Sequence, residues 1–300
     1  RSGENKSTAF SHDIQNPQGF LAYLIGRRRL KKRLSVKTEH ETQIQSELTF
    51  NCGIVHVFCH GLKGIQYINA YINQLKKGLT SSQSAYLTSL EDALTRGDLV
   101  TQKKQNFQAL SDFWKDSARS FLPFIYFYGE KAKLENSEKS LNFAAHSMLE
   151  ELRGVSDPGL RVWMANEANE LFTRSLKLNP NNDSTVIGQG STFFFGVSGA
   201  PMEGILKIRA IAEKDPNNVF AQFMLGFGGM VSGQNDKAIE RFLKVIQLDP
   251  KNSEAIFLLA ELYERGGDKK KAIEWYEQGK KFVENPELMK ALDEKIKSLK

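Results

Sequence analysis

The stretch Val219–Asn252, VFAQFMLGFGGMVSGQNDKAIERFLKVIQLDPKN, decides the fold. It reads as one helix, a tight turn at Ser232-Gly233-Gln234, a second helix and a stop at Asp249-Pro250. Gly233 supplies the positive φ that such a turn needs, and the Pro250 ring clashes with continued α geometry. Similar units lie on both sides. Pro180, Pro216 and Pro250 each follow Asn or Asp, and each is followed by two residues ending in Asn: NPNN, DPNN, DPKN. These prolines are spaced 36 and 34 residues apart, which points to helix pairs stacked at a fixed period.

The next unit, Ser253–Glu284, repeats the plan with Leu259-Ala260, Tyr263, a turn at Gly266-Gly267-Asp268, then Ala272 and Tyr276. In the first unit the matching positions are Leu225-Gly226, Ala238, Phe242 and Pro250. On these residues the chain resembles the tetratricopeptide repeat family. Small residues at 226, 238, 260 and 272 let two helices approach, and Phe242 and Tyr276 are expected to fill the gap against the following repeat. Ser184–Pro216 is a poorer match, with three glycines and three phenylalanines in VIGQGSTFFFGVS, Gly204 for the usual Ala and Ile208 for the aromatic.

Earlier helices are assigned by apolar stripes alone. Phe107, Leu110, Phe113 and Trp114 pair with Ile125, Tyr128, Ala132 and Leu134; Leu141, Ala144, Ala145, Met148 and Leu149 pair with Trp163, Ala168, Leu171, Phe172, Leu176 and Leu178. Ser137 is placed to cap the second of these hairpins. The expected fold is all-α: a right-handed α-solenoid of antiparallel pairs near 101–135, 138–180, 184–217, 219–252 and 253–285. Pro286–Leu299 follows as a capping helix, with proline and Glu287 at its start and lysines at its end. This repeat domain spans 85–300 behind a basic, partly disordered segment, 1–84. Within that segment Gly64–Gly78 reads as a short amphipathic helix, Ser81–Ser84 as a linker, and Tyr86–Leu94 then opens the helical region.

The chain has 300 residues, 40% hydrophobic and 25% charged, an ordinary globular composition. Its formal charge of +6 is unevenly placed: residues 1–80 hold 12 basic and 5 acidic side chains, against 29 and 30 in the remainder. The basic excess is therefore no evidence for a nucleic-acid surface on the repeats. Two cysteines make no disulfide framework, and no apolar run reaches the roughly 18 residues of a membrane span. The first residue is Arg1, not Met, so the chain reads as a fragment of a longer protein.

Phe20–Ile25 precedes the cluster RRRLKKR at 27–33, for which three readings stand: a solvated basic tail, a membrane-surface segment and a nucleic-acid contact. Like charges in a block favour the first. Cys52, His56, Cys59 and His60 fall within nine residues. Their spacing suits zinc poorly, because the adjacent Cys59 and His60 point apart; small buried cysteines are the simpler reading. Arg96-Gly97-Asp98 reads as a helix stop followed by a cap. GFGGMVSG at 226–233 lacks the Lys-Ser/Thr ending of a phosphate loop. His146 has no partner motif for nucleophilic chemistry.

The region from Tyr86 onward is similar to small bacterial tetratricopeptide repeat proteins, which often carry an N-terminal anchor or signal and act as interaction scaffolds. Residues 1–80 do not match such an N-terminus. The resemblance implies a non-catalytic scaffold or adaptor that needs no cofactor and grips a protein or peptide in a concave groove. Gln189, Phe193, Phe223, Phe227, Met230, Phe257, Glu261 and Glu264 take the groove positions. They lack the Lys, Asn and Arg of the family's carboxylate clamp, so an apolar segment with a basic flank is the expected ligand. No nucleic-acid partner is expected. Membrane contact through the basic segment is the alternative, with the protein acting as a membrane-associated assembly or secretion factor. The location is accordingly cytoplasmic, or membrane-anchored if an anchor precedes residue 1.

Overall fold

The computed structural model describes residues 63–96, 99–155, 157–196 and 201–300. The basic cluster, the Cys52–His60 stretch and Gly97-Asp98 lie outside the described residues. Among those described there are thirteen α-helices and no strand. The chain divides into two compact units at residues 207/208, and the fold is an all-α helical repeat.

In the unit that ends at Lys207, α1 (Lys63–Lys76) buries Ile68, Tyr71 and Ile72. The helix α2 runs over Ser81–Arg96. The expected linker at Ser81–Ser84 is therefore helical, and its cause is a capping box at Thr80-Ser81-Ser82-Gln83. Gln83 N donates to Thr80 Oγ1 at 3.3 Å and Thr80 N donates to Gln83 Oε1 at 3.0 Å, so two groups without helical partners satisfy each other. Next come α3 (Val100–Asp112), a π-helical turn at Phe113–Ser117, and α4 (Phe121–Glu135). Arg119, with φ 51°, turns the chain between them.

The pair α5 (Glu138–Leu152) and α6 (Pro158–Leu178) packs on most of the predicted stripe: Leu141, Ala144, Ala145, Ala168, Leu171 and Phe172 are fully buried, whereas Leu178, at the helix end, is exposed. Ser137 does stand at the cap position of α5, but its side chain makes no capping bond. Asp157 caps α6 through Leu160 N at 2.6 Å and also accepts from Tyr67 Oη at 2.7 Å, which fixes α1 against the start of α6. Helix α7 (Asp183–Thr192) ends in a 3₁₀ turn at Phe193–Phe195, and α8 (Pro201–Lys214) follows. The glycine-rich sequence of α7 has a steric cause. A Cβ at Gly188 would lie 2.4 Å from Phe172 Cζ, and one at Gly204 would lie 2.1 Å from Gly190 O.

The second unit holds α9 (Val219–Val231), α10 (Asn235–Leu248), α11 (Ser253–Arg265), α12 (Lys269–Lys280) and α13 (Pro286–Leu299). Its two elbows are alike. Gly233 and Gly267 have φ 77° and 82°, and the next residue reaches back to close the helix: Gln234 N to Gly229 O at 2.8 Å, Asp268 N to Tyr263 O at 2.9 Å. Phe242 packs within its own helix pair, where a Cβ at Gly226 would sit 2.9 Å from its ring. Tyr276 does face the following element, in a cluster with Val283, Leu288, Leu292 and Ile296.

The proline motifs are bonded mostly within themselves, and at the first of them Asn179 and Asn182 also donate through Nδ2 to Glu138 Oε1 at 3.0 and 2.7 Å. Asn179, Asp215 and Asp249 each accept, through the side chain, the N–H two residues on, at 3.3, 3.0 and 3.2 Å. The Asn that ends each motif then caps the next helix: Asn182 to Thr185 N at 3.1 Å, Asn218 to Ala221 N at 2.9 Å, Asn252 to Ala255 N at 3.1 Å. Each cap contributes about 1 kcal/mol. Asn285 caps α13 in the same way.

Candidate functional site

The first helices of the second unit, α9 and α11, carry six of the eight residues expected in a groove. Most of the aromatic ones are packed away. Phe257 is 1% exposed, and its ring occupies the place where a Cβ on Gly279 of α12 would be, 2.4 Å from Cε1. Phe223 stands edge-on to Phe242, centroids 5.6 Å apart, and Phe227 is buried as well. These rings hold helices together. Met230, Glu261 and Glu264 keep part of their surface at solvent.

The two glutamates have cationic neighbours already. Glu261 pairs with Arg265 one turn on. Glu264 accepts from Tyr276 Oη at 2.8 Å and binds Lys295 Nζ at 2.5 Å, so one carboxylate joins α11, α12 and α13. Burial, and then the Glu264 charge, holds the Tyr276 phenol protonated well above its ordinary range. The expected acidic end is thus largely neutralised from within. What remains open is the flank of α11 at Glu261 and the end of α9 at Met230.

Gln189 and Phe193 lie at the end of α7 in the other unit. Gln189 donates to Thr173 Oγ1 at 2.9 Å and accepts from Lys207 Nζ at 3.0 Å. Phe193 is buried, with the same Lys207 Nζ 5.4 Å from its ring centroid. Both are occupied in joining α7 to its neighbours.

Two charged or polar cores were not foreseen. Lys133 of α4 reaches Glu130 at 2.7 Å, Glu167 of α6 at 2.9 Å and Glu170 at 3.3 Å. Burial alone would lower its pKa, but Glu167 and Glu130 outweigh it and the net shift is upward. Burial raises Glu167, whereas Lys133 and Arg174 overcome burial at Glu170 and lower it. Between α5 and α7, Thr185 donates to Asn142 Oδ1 at 3.0 Å, and His146 Nε2 lies 3.3 Å from Ser184 Oγ. His146 also stands edge-on to Phe172, 4.8 Å between centroids, and burial pushes its pKa down to about 4. The stripe pattern could not show either core, because the hydrogen bonds and ion pairs that join their helices link residues 34 or more positions apart. Among the described residues, no group of three or more His, Cys, Asp or Glu side chains is placed to hold a metal, and no helix is long and apolar enough to cross a membrane.

Residues 231–296 match the family model for the tetratricopeptide repeat. No curated protein matches the chain. Among solved structures, MamA residues 41-end from Desulfovibrio magneticus RS-1 is similar at 19% identity, over 61% of this chain and 94% of that one, with a TM-score of 0.39. YrrB, described as a TPR protein with an unusual peptide-binding site, shares 18% identity over 69% of this chain and 97% of its own, with a TM-score of 0.38. The TPR domain of P58(IPK) shares 13% over 78% and 79%, with a TM-score of 0.29. The matched stretch, residues 231–296, holds both glycine elbows, at Gly233 and Gly267, and the capped proline linker at Asp249–Asn252, and over these residues the chain is similar to the tetratricopeptide repeat.

Proposed function

We propose that the protein is a non-catalytic interaction scaffold, and that a partner's segment lies along α9 and α11 of its second unit. The observation that carries this is the tetratricopeptide match over residues 231–296, a repeat built to present one row of helices. YrrB, with its peptide-binding site, lends the same reading by likeness of fold. Since Phe223, Phe227 and Phe257 are buried, the contact surface is Met230 and Glu261 with Arg265 beside them. It takes an extended or helical segment with an apolar residue next to a basic one.

The test is affinity capture with the full chain from its native cell, followed by binding measurements with the purified partner. Met230→Glu combined with Glu261→Lys is expected to weaken binding at least tenfold while leaving helix content and thermal unfolding unchanged. Undiminished binding to a correctly folded double variant refutes the placement on α9 and α11.

A further inference from the structure

A second surface lies far along the sequence from α9 and α11, on the hairpin of α3 and α4 and the helix after it. Phe121, Phe124 and Tyr128 stand on one face of α4, at spacings of three and four residues. Phe143 of α5 continues the row. The rings form a ladder with centroid separations of 6.0, 6.2 and 4.9 Å. Its ends remain at solvent: Phe121 is 37% and Phe143 41% exposed. Two ammonium groups lie over the middle rings, Lys115 Nζ 5.9 Å from Phe124 and Lys131 Nζ 5.4 Å from Tyr128. At the elbow, Lys115, Asp116, Arg119, Ser120, Phe121 and Phe124 line a shallow cleft of about 500 Å³. The left-handed backbone of Arg119, φ 51°, is unusual for a residue with a side chain, and Ser120 N donates across it to Trp114 O at 2.8 Å.

The charges around the ladder do not balance. Lys131 is matched by Glu135 at 2.9 Å, and Asp116 is the one acid in the cleft. Lys115 and Arg119 are both exposed, and neither makes an ion pair among the described residues. An apolar strip with unmatched cations at one end is complementary to a segment with an aromatic or aliphatic side chain beside a carboxylate. Guanidinium and carboxylate then pair in a bidentate fork, and the exposed rings take the apolar side chain.

We infer that this face is a second docking surface, specific for an acidic–aromatic peptide segment of a partner protein. A single-stranded nucleic acid suits it less well. Base stacking needs open ring faces, whereas these rings are set edge to face and the two middle ones carry lysines.

The experiment selects a random dodecapeptide display library on the full chain. It then measures enriched peptides by fluorescence anisotropy, beside a fluorescein-labelled oligo-dT 20-mer. The expected result is enrichment of peptides that join Asp or Glu to an aromatic or aliphatic residue. Their affinity falls at least tenfold in Lys115→Glu/Arg119→Glu and in Phe121→Ser, and is unchanged in Met230→Glu/Glu261→Lys. That last arm separates this surface from the proposed groove, since the two sets of variants fail independently. The inference is overturned if no acid-bearing peptides are enriched, if they bind the Lys115/Arg119 variant equally well, or if oligo-dT binds the face more tightly than any peptide.

Discussion

His146 makes the stability of the first unit depend on pH in a way that can be calculated. Its ring is wedged between Phe172 and the bare backbone of Gly188, where a Cβ would lie 3.0 Å from Cε1. In the folded chain it stays neutral down to about pH 4; in the unfolded chain it takes up a proton near pH 6.5. The folded pKa is the lower one, so the unfolded state binds the extra proton first. Stability is therefore intact above pH 6.5, falls as pH drops through the window from 6.5 to 4, and levels off below it. The full shift corresponds to about 3 kcal/mol. His146 keeps part of its surface at solvent, so this is an upper bound, and about 2 kcal/mol is expected between pH 7 and pH 4.5. The assay is urea unfolding followed by circular dichroism across that range, for the natural chain and for His146→Gln. Carboxylates titrate in both proteins, so only the difference between the two curves belongs to His146. The difference should narrow by about 2 kcal/mol as the pH falls. Parallel curves, or an imidazole that titrates near 6.5 by NMR, would refute the reasoning.

Other expectations follow from single contacts. Gly204→Ala drives a methyl group into the Gly190 carbonyl and should destabilise the chain by about 3 kcal/mol in urea melts. Gly233→Ala meets no atom within 4 Å but must hold φ near 77°, so it should lose only about 1 kcal/mol. Asn218→Ala and Asn252→Ala each remove a cap and should lower stability by about 1 kcal/mol apiece, additively because they cap different helices. Lys133→Met leaves Glu130, Glu167 and Glu170 facing one another. The loss should be about 3 kcal/mol at pH 7 and should shrink on acidification as the glutamates protonate, as a pH series of melting temperatures would show. Glu264→Gln should release the hold on Lys295, seen as faster amide exchange in α13.

The parts of the fold that chain-local chemistry determines were the parts legible in sequence. Proline spacing, glycine elbows and stripe residues such as Phe172 and Leu171 each act within a few positions of themselves. The capping box at Thr80–Gln83 was equally local, but a run of Ser and Gln resembles a linker until its Thr-x-x-Gln spacing is noticed. The groove was not legible for a different reason. Helical spacing places Phe257 on a face without saying what lies opposite, and that depends on Gly279, 22 positions later, which leaves room for the ring. Lys133 and His146 posed the same problem at longer range: a lone polar residue on an apolar stripe does not announce its partners. The π-helical turn at Phe113–Ser117 leaves no mark on periodicity, because the apolar stripe ends at Trp114, before the wider turn could shift it.

The proline linkers have a consequence for how such a chain can change. At the Asp215 and Asp249 junctions the Asp and the capping Asn side chains bond to neighbours no more than three residues away, so these two junctions are little tied to which helix pair precedes or follows them. A stretch from one capping Asn to the next, such as 218–251, is therefore an interchangeable module. Its removal would join Pro216-Asn217 directly to Asn252 and restore the same Pro-x-Asn junction. The number of repeats is in this sense a free variable, open to duplication or loss by recombination, while the wording of each junction stays fixed.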